Sequence, residues 1–453
     1  MTDVASRAES PAAGSVRVSG TQLLFVLFAI NLLNFYDRQI IAAVTEPIRV
    51  EWQLSDSALG WLSTAFTLFY AAVGLPLGRR SDVGSRTRLL GFGVAVWSTF
   101  TAFSGLAWNY WSLFAARMGV GFGEASCSPA SNSLIGDHFP PERRARAIGI
   151  FMLGLPVGIL LSSVLSGLIA KAFGWRMAFL VATVPGLLLA AIVYRITDPR
   201  RASMAAGAAT GAATRDRWFA PYVTLWRIPT LRWIVLSGAL HNFNAYAVNA
   251  FMPAYLMRYH GLSLAKANVA AGFTLGAVGI VSLIVGGVMA DHLRKRGADR
   301  RLWLGAFALL LATPCIFAAL WLPSGAVLPF VALMGTGWML FYLYYVTVYP
   351  AIHDVVPPEL RGTAMSLYFF WMYVLGGAFG TLILGMLSDR FARRAMTSLG
   401  ESTLSAASRS AGLHDAFFVV PLISLLLAVV LLMASRRINR DVPATPSTHT
   451  FGS

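Results

Sequence analysis

Four ionisable residues lie inside stretches of the sequence that are otherwise apolar. Asp37 and Arg38 are adjacent in the segment NFYDRQI, within an apolar stretch that begins at Leu23. Arg117 and Glu124 bound a second segment, RMGVGFGE. If these stretches cross a bilayer, each charge costs about 2.5–3.5 kcal/mol near the centre unless it faces a polar cavity or a partner. We therefore take these residues as the first candidates for function.

The spacing of these residues indicates what chemistry they can do. Arg117 and Glu124 are seven residues apart, so they share one face of a helix. Asp37 and Arg38 point about 100° apart, so each needs a partner elsewhere. We expect at least one of the two carboxyl groups to take up and release a proton. The two guanidinium groups, with Asn34 nearby, would bind an anionic substrate, because a guanidinium donates two parallel hydrogen bonds to carboxylate or phosphate. The alternative is an ion-pair network that only fixes helix packing.

Composition indicates the elements that must position these residues. Hydrophobic residues make up 57% of the 453 residues, charged residues 12%, and the mean hydropathy is +0.64, which is typical of a polytopic membrane protein. A helix of about 20 apolar residues crosses the hydrocarbon. The sequence predicts twelve such helices, spans 1 to 12, near 23–47, 58–78, 89–107, 110–136, 147–170, 177–195, 231–256, 267–290, 302–322, 327–350, 364–387 and 416–434.

The net charge of +16 would suggest a nucleic-acid partner in a soluble protein. With the N-terminus inside, however, most lysines and arginines fall on cytoplasmic segments, as the positive-inside rule requires. The main exception is the predicted loop 388–413. Residues 1–20 lack the apolar core of a cleaved signal peptide. We expect a multi-pass protein of a bacterial plasma membrane, with both termini cytoplasmic, no nucleic-acid partner and a monomeric state.

The chain divides into two related halves. The segments IGDHFPPERRARAIGI (135–150) and IHDVVPPELRGTAMSL (352–367) align without gaps, which indicates a duplication of the kind found in transporters. The predicted fold is therefore all-α, with two pseudo-symmetric six-helix bundles. The predicted divisions are an N-terminal tail at 1–22, the first bundle at 23–197, a cytoplasmic linker at 198–230, the second bundle at 231–435 and a C-terminal tail at 436–453.

These features resemble the major facilitator superfamily over essentially the whole chain. The resemblance rests on the two halves, the basic loop GRRSDVGSRTR (78–88) and its echo ADHLRKRGADRR (290–301). Within that superfamily, NFYDRQI and the run GEAS, IGDHF and LPVG in 117–158 look most like the Spinster-type lipid transporters. The resemblance implies proton-linked, alternating-access transport of lysophospholipids or phosphorylated sphingoid lipids.

The resemblance also implies a cytoplasmic latch. Charged residues at the ends of spans 2, 4, 8 and 10 and in the loops that follow them would make contacts that hold the outward-facing state. The alternative is that the arginines only satisfy the positive-inside rule. The expected gating residues are Asp82, Arg86, Arg88, Asp137, Arg144, Asp291, Asp354 and Arg361.

The second half has no acidic residue at the depth of Asp37 but offers amides and aromatic rings. Such side chains suit an amphipathic cargo, since ring faces accommodate a chain while hydroxyl and amide groups bind its polar part. The alternative is tight helix packing. The candidates are Asn242, Tyr246 and Asn249 on one face of span 7, Tyr342 and Tyr345 in span 10, and Tyr368 and Trp371 in span 11.

The sequence offers little for catalysis. Cys127 and Cys315 each lie in an apolar span, which predicts neither a disulfide nor a metal site. No nucleotide-binding loop or nucleophile motif is present. We therefore expect no enzyme activity and no cofactor, and we expect a gradient of protons to drive transport. Two alternatives stay open: a carrier of a small organic anion, such as a sugar acid or aromatic carboxylate, and a receptor or scaffold without flux.

Overall fold

The computed structural model describes residues 18–83, 85–198, 220–294, 296–357 and 360–441. The helices form twelve rods that follow the order of the predicted spans. Spans 1 to 6 occupy Gly20–Trp52, Asp56–Val83, Arg86–Gly105, Tyr110–Glu124 with Cys127–His138, Pro141–Met152 with Gly154–Phe173, and Trp175–Arg195. Spans 7 to 12 occupy Pro229–Arg258, Leu264–Gly272 with Val278–Arg294, Ala298–Leu320, Val327–Val355, Arg361–Trp371 with Ala378–Ser398, and Ala406–Phe417 with Val419–Asp441.

Within the described residues, nine helical stretches are long and apolar enough to cross a membrane. They belong to every span except 3, 4 and 7. Span 4 is interrupted after Glu124. Span 7 carries buried polar side chains, among them Asn242 and Asn244, which lower its hydropathy. These three rods nevertheless pack among the others, so the predicted all-α architecture with twelve helices is confirmed.

Several helices extend beyond their predicted ends. Span 11 continues to Ser398, so the first part of the predicted loop 388–413 is helical. Span 12 runs to Asp441, into the predicted C-terminal tail. Of the predicted linker, residues 199–219 lie outside the described residues, and a short helix, Ala220–Trp226, precedes span 7. The lengths of the apolar stretches predicted helix ends that are too early, because polar residues in the last turns of a membrane helix can reach the interface.

Span 1 is a long unbroken helix whose start is set locally. Ser19 and Gln22 form a capping box: the Ser19 hydroxyl accepts the Gln22 N–H at 3.3 Å, and the Gln22 side chain accepts the Ser19 N–H at 2.9 Å. Span 5 packs closely on this helix, since a Cβ on Gly154 would lie 2.8 Å from the Leu32 nitrogen. Small residues at this contact let the two backbones approach each other.

The apolar core of the first half is divided. One buried cluster, which includes Leu27, Val94 and Trp97, lies towards the end where span 1 begins. A second cluster, which includes Ile40 and Phe179, lies towards the opposite end. The charged residues of spans 1 and 4 lie where the two clusters meet. The second half has one continuous buried cluster.

The two halves touch most closely at the end of the bundle opposite to the start of span 1. We call the end where span 1 begins the basic end, because the segment 78–88, which contains the end of span 2 and the start of span 3, is rich in arginine. At the opposite end, spans 2 and 11 are nearly in backbone contact: a Cβ on Gly60 would lie 2.8 Å from Leu382 Cα, and one on Gly385 would overlap the backbone of Asp56.

Spans 1, 5 and 8 complete this closure. The Asn268 side-chain amide donates to the Ala43 carbonyl at 2.9 Å, and a Cβ on Gly276 would lie 2.7 Å from the Leu160 nitrogen. The bundle is therefore closed at the opposite end.

Candidate functional site

The four charged residues of spans 1 and 4 form one buried cluster. The Arg38 Nε donates to a carboxylate oxygen of Glu124 at 2.6 Å. Asp37 accepts a hydrogen bond from the Thr101 hydroxyl at 3.4 Å and lies close enough to Arg117 and Glu124 to interact with both electrostatically. Asp37, Arg117 and Glu124 are at most 3% exposed. The packing of the helices in the first half therefore brings together residues that are about 80 positions apart in sequence.

Aromatic rings of span 2 hold the two guanidinium groups in place. The Arg38 guanidinium carbon lies 4.4 Å from the ring centre of Tyr70 and 5.4 Å from that of Phe66. The Arg117 guanidinium carbon lies 4.9 Å from the same Phe66 ring. Phe66 therefore lies between the two cations and attracts both through its ring face.

Arg117 differs from Arg38 in its partners. Arg38 forms the ion pair with Glu124 and also donates to the Tyr246 hydroxyl of span 7 at 3.3 Å. Arg117 has no acidic oxygen within 4 Å among the described residues, although it is 3% exposed. An arginine stays charged, and a buried charge without a direct partner is costly. This guanidinium is therefore available to an anion.

A cavity between the two halves gives access to this cluster. Arg38 and Arg117 line it from the first half, together with Phe35 and Phe66. Its walls extend to Tyr349 in span 10 and Phe369 in span 11, within about 12 Å of the basic ends of those helices at 1.5 Å per residue. The cavity thus lies around mid-depth between the two halves, with lining residues on both the basic side and the opposite side.

The carboxyl groups lie behind the guanidinium groups. Asp37, Glu124 and Asn34 are buried beside the cavity but do not line it. A solute in the cavity would meet the arginines first, and the carboxylates would act on it through them. An anion in the cavity and the buried carboxylates would therefore compete for the same guanidinium groups.

The structure brings five of the predicted cargo residues of the second half to the cavity wall. These are Asn242, Tyr246, Asn249, Tyr342 and Tyr345. They face the arginines across the gap between the halves, so one wall is cationic and the other is aromatic with amide groups.

Two other predicted cargo residues lie elsewhere. Tyr368 is fully buried behind the cavity, where its hydroxyl lies 3.0 Å from the Tyr344 hydroxyl, which in turn lies 2.8 Å from the Ser237 hydroxyl. Trp371 lies on a separate groove against Trp226. Neither residue lines the central cavity, because the face of span 11 that meets it carries Phe369, Met372 and Tyr373, and Tyr368 and Trp371 lie on other faces of the helix.

The predicted gating residues occupy the basic end, and two ion pairs of Arg86 and one of Asp354 join residues of the same half. Arg86 is fully buried and forms ion pairs with Asp137 and Asp198, both at 2.6 Å. Arg301 pairs with Asp354 at 3.2 Å. Arg88 and Arg361 are exposed. The side chains of Asp82, Arg144 and Asp291 lie outside the described part of the structure.

These pairs reproduce the duplication seen in the sequence. Asp137, near the end of span 4, accepts from Arg86 at the start of span 3; Asp354, near the end of span 10, accepts from Arg301 near the start of span 9. An ion pair between an arginine and an aspartate therefore joins equivalent helices in each half. We interpret it as a contact that holds each half rigid.

Replacing Arg86 with alanine is expected to lower the stability of the first half rather than to redistribute conformations. The change breaks the buried ion pair between Arg86 and Asp198, a loss of about 3–5 kcal/mol. Thermal unfolding of the purified protein in detergent would measure it. As a control, the exposed Arg88 replaced with alanine should leave the melting temperature within about 1 °C. An unchanged melting temperature for the Arg86 variant would contradict this role.

The charged closure at the opposite end was missed by sequence reasoning. Arg258, at the end of span 7, pairs with Glu46 of span 1 at 2.7 Å and with Asp56 of span 2 at 2.7 Å. Asp389 of span 11 accepts the N–H groups of Asp56 and Ser57 at 3.0 and 2.8 Å, which caps the N-terminus of span 2. The available signal was an unexplained charge at the end of each of these four helices.

The comparisons with known proteins agree with this architecture. Residues 27–381 match the model of the Major Facilitator Superfamily. The chain is 28% identical over 418 residues to an MFS-type efflux pump of Mycolicibacterium smegmatis, covering 92% of this chain and 93% of that protein. It is 27% identical over 387 residues to a probable L-galactonate transporter of Escherichia coli, covering 82% of this chain and 84% of that protein.

A solved structure is also similar. A bacterial homologue of the human lysosomal transporter Spinster, crystallised in an inward-facing and unoccupied conformation, superposes with a TM-score of 0.82 at 26% identity, covering 94% of this chain and 98% of that chain. With two six-helix halves, a cavity between them and a family match over most of its length, this multi-pass membrane protein belongs to the major facilitator superfamily and resembles its Spinster homologues.

Proposed function

We propose that this protein is a proton-coupled secondary transporter of an amphipathic, anionic lipid, of the lysophospholipid or sphingoid-phosphate type. The observation that carries the proposal is Arg117: a buried guanidinium on the cavity wall without a direct acidic partner among the described residues. A phosphate or carboxylate head group would bind there through charge-assisted hydrogen bonds.

The opposite wall supports an amphipathic cargo. Tyr342 and Tyr345 pack 5.7 Å apart, and Tyr345 lies 5.5 Å from Tyr349, so the rings form a continuous row along span 10. Ring faces of this kind accommodate an alkyl chain, and the nearby amide of Asn242 can bind polar atoms. The row leads from the arginines towards the basic end, which matches a head group followed by a chain.

The binding of a proton and of the substrate anion would be coupled because the arginines line the cavity and the carboxyl groups lie behind them. When Asp37 and Glu124 are ionised, they attract the two guanidinium groups. Protonation of either carboxyl group weakens that attraction, and the guanidinium groups then bind the substrate anion more strongly. The proton and the anion are therefore bound together, and a proton gradient drives transport. We place the protein in a bacterial plasma membrane, with the basic end in the cytoplasm by the positive-inside rule.

A small organic anion is the second candidate. The cavity encloses about 170 Å³, less than the roughly 300–1,000 Å³ typical of sites for drug-sized ligands. The similar protein of Escherichia coli is named a probable L-galactonate transporter. A sugar acid would use the same arginines, with its hydroxyl groups bound by Asn242, Asn249 and Tyr246.

Flux measurements in proteoliposomes test the proposal. We expect uptake of a labelled lysophospholipid to rise several-fold under a pH gradient, with little uptake of galactonate or aromatic carboxylates. Arg117→Gln should lower the flux at least tenfold, because it removes the free guanidinium. Arg176→Gln is the matched control, since that arginine forms an exposed ion pair with Glu51 away from the cavity. Organic-acid flux without lipid flux would overturn the lipid assignment in favour of the second candidate.

A further inference from the structure

A groove outside the central cavity lies between the short helix Ala220–Trp226, the start of span 7 and span 11. It shares no lining residue with the central cavity. Its walls include Arg227 and Arg232 together with the aromatic rings of Tyr222, Trp226 and Trp371. The groove therefore combines two cations with an aromatic and apolar surface.

The two arginines of the groove are available to a ligand. Both are exposed, and among the described residues neither has an acidic oxygen within 4 Å. Asp441, the acidic residue that contacts the start of span 7, accepts the Thr230 N–H at 2.8 Å and so caps that helix. Arg232 lies one turn inside span 7, which begins at Pro229. An exposed arginine at this depth can reach phosphates at the membrane surface.

The aromatic rings indicate the depth of the groove. Leu225 is fully buried and anchors the short helix to the bundle, while Trp226 is 44% exposed. Trp226 and Trp371 lie 6.2 Å apart. Tryptophan and tyrosine concentrate at the boundary between head groups and hydrocarbon. The groove therefore lies at the membrane interface of the basic end.

We propose that this groove binds an anionic phospholipid of the surrounding membrane, separately from the transported substrate. The lipid phosphate would accept hydrogen bonds from Arg227 and Arg232. One acyl chain would lie over Trp371 and Leu367, which form the apolar wall on span 11. Charge complementarity selects an anionic head group, and the apolar wall selects a lipid over a soluble phosphate.

The site touches a segment that also shapes the central cavity. Trp371 directly precedes the π-helical turn Met372–Gly377, and Met372 and Tyr373 line the cavity. In that turn, a Cβ on Gly377 would lie 2.9 Å from the Asn242 side chain, so the turn packs tightly on span 7. A lipid in the groove therefore contacts the same helical turn as the cargo site, from the other side.

Native mass spectrometry of the purified full chain tests the proposal, with phosphatidylglycerol, phosphatidylcholine and inorganic phosphate as the three probes. We expect phosphatidylglycerol to bind roughly tenfold more tightly than phosphatidylcholine, and inorganic phosphate not to displace it. The double variant Arg227→Gln/Arg232→Gln should lose this preference. The control is Arg436→Gln/Arg437→Gln, which removes two exposed arginines from the same end and should keep it.

The outcomes separate the explanations. An unchanged preference for phosphatidylglycerol in the Arg227→Gln/Arg232→Gln variant would overturn the proposed site. An equal loss of that preference in the Arg436→Gln/Arg437→Gln control would also overturn it, because it would indicate a nonspecific effect of charge. Displacement by inorganic phosphate would overturn the lipid assignment. The variant Arg227→Lys/Arg232→Lys keeps the charges and should retain at least part of the preference, which excludes misfolding as the cause of the loss. None of these outcomes depends on the identity of the transported substrate.

Discussion

Replacing Asp37 with asparagine is expected to abolish accumulation driven by a pH gradient. Asparagine keeps the size of the side chain but cannot carry the proton. A gradient of one pH unit supplies about 1.4 kcal/mol per proton, which corresponds to roughly a tenfold concentration ratio. The variant should therefore equilibrate its substrate to a ratio near one, while the unmodified protein accumulates it. Labelled-substrate uptake into proteoliposomes, with and without the gradient, measures both ratios.

The surroundings of Asp37 explain why the effect should be this large. Its carboxyl group is 1% exposed and interacts with Arg117, the guanidinium that we assign to the substrate anion. The variant should still exchange substrate in the absence of a gradient, since Arg117 and Arg38 remain. Asp37→Glu restores a carboxyl group and should recover part of the coupling. If the Asp37→Asn variant accumulates substrate as the unmodified protein does, Asp37 is not the coupling residue, and Glu124→Gln becomes the variant to measure.

Replacing Arg258 with alanine is expected to open the end of the bundle that is closed in this structure. Arg258 pairs with Glu46 and Asp56, and all three side chains are at most 10% exposed. Without the guanidinium, the buried Asp56 carboxylate loses its ion pair, while Glu46 keeps its pair with Arg49, and a broken buried pair costs about 3–5 kcal/mol. Opening hydrates the Asp56 carboxylate and removes this cost. A change of about 3 kcal/mol shifts the conformational equilibrium by roughly 100-fold.

Distances between spin labels measure this shift. Labels on the exposed positions Trp108 and Trp321, which lie in the loops after spans 3 and 9, would report the separation of the halves at this end. The expected result is a population with a longer distance in the Arg258→Ala variant. Arg176→Ala is the matched control, since its ion pair with Glu51 is exposed and joins spans of one half. An unchanged distance distribution in Arg258→Ala would show that backbone contacts, such as those at Gly60, close this end without the ion pairs.

These two experiments address separate parts of one cycle. Asp37 lies at mid-depth beside the cavity, whereas Arg258 lies at the end where span 2 begins. Asp389 strengthens the second site, because its carboxylate caps span 2 only while spans 2 and 11 touch. A negative charge at a helix N-terminus is favourable, so separation of the halves costs this interaction as well. Coupling and closure can therefore be altered independently.

The sequence by itself determined the class of this protein and the first half of its site. Apolar length indicates membrane helices, and a charge inside such a helix is costly enough to be noticed, so Asp37, Arg38, Arg117 and Glu124 could be identified one helix at a time. The helix period then predicts which side chains share a face, and five of the predicted residues of spans 7 and 10 do line the cavity.

Only the tertiary structure decided which helix faces meet and where the halves join. Tyr368 and Tyr345 are equally aromatic, yet Tyr345 lines the cavity while Tyr368 lies behind it, since the neighbouring residue Phe369 is on the face of span 11 that meets the cavity. Arg258 and its partner Asp56 are about 200 positions apart in the chain. Such pairs depend on how two packed bundles are oriented, and the periodicity of a single helix carries no information about that orientation.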